Sequence, residues 1–112
     1  MKIAFTAKGN SWDSMMDPRF GRTEFLLVYD EQKEELTEFD NRSIENEAHG
    51  AGPKTAQKLF ELGAEVLITG NGPGNNAASV LENAGIRIYT GASQLSVREA
   101  LDAYRNKGLE EF

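Results

Sequence analysis

Near Pro53 the spacing of apolar residues along this 112-residue chain changes from a strand-like to a helix-like pattern. This change restricts the possible folds more than any other feature of the sequence. Before it, apolar residues stand in short runs or alternate with polar ones, as in strands. After it, runs of the strand type alternate with stretches in which apolar residues recur at helical spacing. The segments of strand type are Lys2–Thr6, Glu24–Asp30, Lys33–Phe39, Glu65–Thr69 and Ile86–Tyr89.

Local signals predict where three helices begin and end. Pro53 suits the first position of a helix, and Gly63 is a typical stop after its last turn. The second helix follows the turn 70–75 and ends at Gly85. The third opens at Ser96, which has a glutamate three residues later in the pattern of a capping box. The predicted order is therefore strand, strand, strand, helix, strand, helix, strand, helix.

This order predicts a single α/β domain over residues 1–112. An antiparallel meander followed by strand–helix–strand crossovers gives a mixed five-stranded sheet in the order 3-2-1-4-5, with helices packed on it. The carboxyl ends of the first and fourth strands are then neighbours. We therefore expect the loop 7–22 and the turn 70–75 to face each other across a crevice, which is the predicted functional site.

Composition excludes several classes of function. The chain has no cysteine, which excludes disulfides and thiolate-ligated metal sites. Its net charge of −6 is unsuited to coating nucleic acid, which relies on a basic surface. No apolar run has the length of a signal peptide core or a membrane span. We expect a cytoplasmic monomer without nucleic-acid or membrane partners.

The loop Asp17–Arg22 carries two arginines beside a proline and a glycine. Guanidinium groups suit delocalised anions because they donate several hydrogen bonds from one rigid fork. Pro18 and Phe20 would fix the loop and direct Arg19, so we interpret Arg19 and Arg22 as anion-binding residues. The alternative is that the two arginines only pair with nearby carboxylates such as Asp17 or Asp13.

The turn 70–75 is the second candidate for binding an anion. Its glycines let the backbone approach a ligand, and the free N–H groups at the start of the next helix point toward negative charge. The sequence matches neither the dinucleotide fingerprint nor a P-loop. A tight connection between strand and helix is the alternative interpretation. The candidate binding residues here are Asn71, Gly72, Pro73, Gly74 and Asn75.

His49 is the only histidine of the chain and lies in a glycine-flanked loop. It can ligate a metal or carry a proton, but one ligand does not make a metal site, and a solvated loop histidine is the alternative. The chain has no cysteine nucleophile, no His-Glu-x-x-His and no Gly-x-Ser-x-Gly. We therefore expect a binding protein and not an enzyme.

The order of elements, the loop Asp17–Arg22, the segment His49–Gly52 and the turn Gly70–Gly74 together resemble a known family. It is the dinitrogenase iron-molybdenum cofactor biosynthesis family, small proteins related to NifX, NafY and the C-terminal domain of NifB. The resemblance implies a ribonuclease H-like fold without nuclease chemistry. It also implies transient binding of an iron–sulfur or iron–molybdenum cluster, or its precursor, before delivery to a recipient apo-protein.

The resemblance carries over to particular residues. Arg19, Phe20 and Gly21 match the family's Arg/His-Phe-Gly motif, His49 falls in its His-Gly segment, and the stretch 72–74 matches its glycine turn. Many relatives have further His or Cys residues near positions 47–52, and this chain has none. The implied cluster would therefore be held mainly by charge and backbone donors, with His49 as at most one ligand.

Two other functions use the same features. In an enzyme that acts on small molecules and binds phosphate or a nucleotide, the turn 70–75 would hold the phosphate. The acidic surfaces would dock a partner in a protein-interaction module of the same fold.

Overall fold

The computed structural model describes residues 1–45 and 50–112. The strands are β1 Lys2–Ala7, β2 Phe25–Asp30, β3 Glu35–Asp40, β4 Val66–Ile68, β5 Arg87–Thr90 and β6 Glu110–Glu111. The helices are α1 Arg42–Glu45, α2 Ala51–Glu61, α3 Asn75–Asn83 and α4 Val97–Arg105. In this described part of the chain, no helix has the length and apolar character needed to cross a membrane.

All the strands belong to one mixed sheet in the order β3-β2-β1-β4-β5-β6. The strands β1, β2 and β3 form an antiparallel meander, whereas β4 runs parallel to both β1 and β5. This confirms the predicted α/β class and the order of the first five strands. The predicted count of five was wrong, because the short strand β6 adds to β5 in antiparallel register.

The core lies on both faces of the sheet because successive side chains of a strand point to opposite sides. On one face α2 and α3 cover the sheet, and the packed residues include Ala4, Leu26, Leu67, Leu59 and Leu81. On the other face α4 covers the sheet, and the packed residues include Ile3, Phe5, Leu27, Ile68 and Leu101. Both faces are thus occupied, which leaves the ends of the strands as the place for a site.

The helix ends largely follow the sequence signals. Ser96 and Glu99 form the predicted capping box: the Ser96 hydroxyl accepts from the Glu99 N–H at 3.2 Å, and the Glu99 carboxylate accepts from the Ser96 N–H at 2.9 Å. The predicted start of α2 at Pro53 was wrong, because the helix begins two residues earlier, at Ala51. Phe60, in the last turn of α2, is 54% exposed.

A surface ion pair at the start of α1 gives a pH-dependent prediction. Arg42 donates its backbone N–H, Nε and Nη2 to the Asp40 carboxylate, which lowers the pKa of Asp40 to about 2. Since the folded pKa is depressed, the pair stabilises the fold at higher pH and loses its effect as pH falls through about 2. We expect Arg42→Ala to raise the pKa of Asp40, as followed by carboxyl NMR titration, and Arg105→Ala to leave it unchanged. An unaltered Asp40 titration in Arg42→Ala would contradict this assignment.

Candidate functional site

The loop 7–22 and the turn 70–75 meet beyond the carboxyl ends of β1 and β4. The Asn71 N–H donates to the carbonyl oxygen of Pro18 at 2.8 Å. A Cβ built on Gly70 would lie 2.6 Å from the Cα of Pro18, so the two backbones are in direct contact. The structure therefore brings the two predicted segments together as one continuous surface, instead of separating them by an open crevice.

Arg19 lies on this surface and pairs with Asp17. Its Nε and Nη2 donate to the two carboxylate oxygens of Asp17 at 3.1 and 3.0 Å, and its backbone N–H donates to Oδ1 at 3.0 Å. Asp17 is fully buried, whereas 53% of the Arg19 side chain is exposed. The carboxylate pairing considered from the sequence is thus present for Arg19, and it fixes a guanidinium group that still reaches the surface.

Asp17 is a functional candidate that the sequence analysis considered only as a pairing partner of the loop arginines. Its carboxylate also accepts from the Glu24 N–H at 3.3 Å, and its carbonyl oxygen accepts from the Thr6 hydroxyl at 2.8 Å. The Thr6 hydroxyl lies 2.8 Å from that of Thr69, which follows β4. These buried contacts tie Asp17 to both central strands. The only signal in the sequence was an aspartate two residues before Arg19, the spacing of an Asx turn.

Phe20 and Gly21 connect the loop to the start of α2. Phe20 is 5% exposed and packs in the core beneath α2 and α3. A Cβ on Gly21 would lie 2.6 Å from the Gly52 nitrogen and 2.7 Å from its Cα, so only glycine permits this approach. The Gly21 carbonyl oxygen accepts from Asn41 Nδ2 at 3.2 Å and from the Thr55 hydroxyl at 3.3 Å. Neither Asn41 nor Thr55 stood out in the sequence.

Two helices begin side by side at this surface. Gly50 and Gly74 are the N-caps of α2 and α3, and neither end has a side-chain cap or an acidic residue in its first turn within the described residues. A Cβ on Gly52 would lie 3.2 Å from the Cβ of Ala77 in α3, so the two ends are neighbours. Their N–H groups and dipoles both favour negative charge at this place.

The other predicted residues divide by exposure. Arg22 and four residues of the turn are exposed, namely Asn71, Gly72, Gly74 and Asn75, whereas Pro73 is buried. His49, proposed as a weak metal ligand, lies outside the described residues. Within residues 1–45 and 50–112, no group of three or more His, Cys, Asp or Glu side chains is placed to hold a metal ion. The described surface therefore offers hydrogen-bond donors and positive charge, which suit an anion with several acceptor atoms.

Comparisons with known proteins agree with this architecture. Residues 1–107 match the model of a family described as dinitrogenase iron-molybdenum cofactor. No protein among the curated sequences matches the chain.

Solved structures give a more detailed likeness. The apo form of the orange protein from Desulfovibrio gigas is 35% identical with a TM-score of 0.93, over 99% of this chain and 92% of that one. A candidate NifB protein from Thermotoga, in the DUF35 family, is 34% identical with a TM-score of 0.85, over 98% and 91% of the two chains. A third structure, 20% identical with a TM-score of 0.75 over 100% and 96%, shows the fold alone.

Proposed function

The chain belongs to the dinitrogenase iron-molybdenum cofactor family, and on this premise we propose that it is a non-catalytic carrier of an anionic metal cluster. Membership connects the chain with cofactor assembly or cluster binding. The finer proposal is that it holds an iron–sulfur or iron–molybdenum cluster, or a precursor, and releases it to a recipient apo-protein. The cluster is cargo, and the site is the surface between the Arg19 loop and the starts of α2 and α3.

The observation that carries the proposal is the fixed Arg19 guanidinium, in a loop whose Gly21 contacts the start of α2 and whose Pro18 contacts the turn before α3. Asp17 holds the Arg19 side chain through two hydrogen bonds and its backbone N–H through a third, so less side-chain entropy remains to be lost when an anion binds. The described residues at the starts of α2 and α3 add no carboxylate that would oppose negative charge. A cluster with several sulfide atoms would accept from many such donors at once.

Donor-based binding also suits a carrier. Hydrogen bonds and charge hold a cluster without metal–protein bonds, and such contacts break without ligand exchange at the metal. The net charge of −6 repels long polyanions, while the local donors still attract a compact one. The relative from Desulfovibrio gigas has been solved in an apo form, which supports a removable guest.

Anaerobic reconstitution tests the proposal. The purified chain is incubated with ferrous iron and sulfide, with and without molybdate, then desalted and assayed for iron, sulfide and visible absorption. We expect the native chain to retain iron and sulfide together. We expect Arg19→Ala to lower retention about tenfold or more, since a hydrogen bond to a charged group contributes about 1.5–3 kcal/mol.

Arg105→Ala is the matched control for Arg19→Ala. Arg105 is also half-exposed and paired with a carboxylate, that of Glu31 at 3.2 Å, but it lies near the opposite end of β2. His49→Ala measures any contribution of that side chain. Arg19→Lys keeps the positive charge but lacks the planar guanidinium group with its several donors. Absence of retained iron in the native chain, or equal retention in Arg19→Ala and Arg105→Ala, would refute the proposal.

A phosphate site is the competing use of the same donors. Melting temperatures measured with inorganic phosphate and with ATP distinguish it, because a ligand that binds only the folded state raises the melting temperature. Stabilisation by phosphate that disappears in Arg19→Ala, without retention of iron by the native chain, would favour the phosphate-binding alternative.

A further inference from the structure

The ring of Phe112 lies against the glycine turn at the candidate site. A Cβ built on Gly72 would lie 2.5 Å from Phe112 Cε2, 2.8 Å from Cδ2 and 3.2 Å from Cζ. A side chain at position 72 would therefore displace the ring from its place against the turn. Phe112 nevertheless remains 54% exposed, so one part of the ring covers the turn and the rest faces solvent.

The backbone of Phe112 is held in place by β6. The Phe112 N–H donates to the Ile88 carbonyl oxygen at 2.7 Å, and Glu111 pairs with Tyr89 in the ladder. The Arg87 guanidinium donates to both Glu111 carboxylate oxygens, at 3.3 and 3.0 Å, which lowers the pKa of Glu111. Residues 108–112 lie beyond the region that the family model matches.

An aromatic ring at this place suits a sulfur-bearing guest. Sulfur is polarizable and makes favourable contacts with aromatic rings, often at the positively polarised ring edge. The neighbouring turn is attached to the start of α3, where N–H groups favour negative charge. A metal sulfide cluster combines the two properties, whereas a phosphate oxygen is strongly hydrated and gains little from an apolar ring.

We propose that Phe112 is a wall of the cluster site and contacts sulfide atoms of the bound cluster beside Gly72. The proposal rests on the carrier function given above and specifies its guest as a sulfur-bearing anion. Phe112 would bind with its exposed ring portion and exclude water from one side of the cluster. It would thereby slow the loss of the cluster to solvent.

The test compares Phe112→Ala with Phe60→Ala. Both phenylalanines are 54% exposed, but Phe60 lies on α2, near its end remote from the site. Each variant is loaded anaerobically with ferrous iron and sulfide, and the rate of iron loss to an added ferrous chelator is measured. We expect iron loss about two- to tenfold faster in Phe112→Ala, from the strength of sulfur–aromatic contacts, and no change in Phe60→Ala.

A second variant distinguishes the effect of the aromatic ring from the effect of side-chain size. Phe112→Leu keeps an apolar side chain without an aromatic edge, and we expect it to lose iron faster than the native chain although it folds normally by circular dichroism. Equal rates of iron loss in Phe112→Ala, Phe112→Leu and the native chain would overturn this inference alone. A native chain that retains no iron would overturn the carrier function as well, so the two failures are distinguishable.

Discussion

Gly21→Ala is expected to lower the free energy of unfolding by about 3 kcal/mol, through the addition of one methyl group. The new Cβ would lie 2.6 Å from the Gly52 nitrogen, 2.7 Å from its Cα and 3.0 Å from the Ala51 carbonyl carbon. All of these are backbone atoms at the start of α2, so no side-chain rotation relieves the collision. The loop or the helix must move.

Movement at Gly21 also breaks polar contacts. Its carbonyl oxygen is the acceptor for Asn41 and Thr55, both fully buried, and buried donors that lose their acceptor add a further cost. Urea unfolding followed by circular dichroism measures the loss. Gly74→Ala is the control, because a Cβ there has no neighbour within 4 Å and the φ of −64° suits alanine. Equal stability of the two variants would show that the contact at Gly21 is not tight.

Asp17→Ala is expected to cost about 3 kcal/mol of unfolding free energy, through the loss of a buried carboxylate that organises the Arg19 loop. The substitution removes the acceptor for the Arg19 backbone N–H, Nε and Nη2 and for the Glu24 N–H. We also expect it to reduce iron retention, since the Arg19 guanidinium is then no longer held in place. Chemical unfolding and anaerobic reconstitution measure the two effects separately.

Asp40→Ala is the matched control for Asp17→Ala. Asp40 accepts from the backbone N–H, Nε and Nη2 of Arg42, as Asp17 does from those groups of Arg19, and in both pairs the arginine follows two residues after the aspartate. Asp40 is half exposed, however, whereas Asp17 is fully buried. We expect a much smaller loss of stability for Asp40→Ala, because exposed ion pairs contribute little. The double variant Asp17→Ala/Arg19→Ala should lose less than the sum of the single variants. Strict additivity would contradict the coupling of Asp17 and Arg19.

The sequence predicted the α/β order because strands and helices bury side chains with different periods. The runs at Lys2 and Val66 are apolar enough to identify buried strands, and Ser96 with Glu99 identifies a helix start by a local contact. The strand β6 could not be found in this way. It consists of two exposed glutamates and depends on pairing with β5, a contact with residues distant in the chain.

The candidate site could be predicted only in part, because some of its residues are recognisable by type and others depend on contacts made in the fold. Arg19 and the turn 70–75 stand out by residue type, because arginine and glycine clusters indicate anions. Asp17 was considered only as a pairing partner of the arginines, and Phe112 was not singled out, since both make contacts with Thr6, Glu24 and Gly72 that only the fold creates. Gly21 was identified by its match to the family motif. The structure adds the steric reason for a glycine there, which is the close contact with the backbone at the start of α2.

The outermost strands of the sheet, β3 and β6, carry several carboxylates. Exposed residues of β3 include Glu35 and Glu38, and β6 consists of Glu110 and Glu111. A second copy that added its own outer strand would bring like charges together at neutral pH, which opposes edge-to-edge aggregation. The acidic residues of the two outer strands therefore limit the sheet to the strands of one chain.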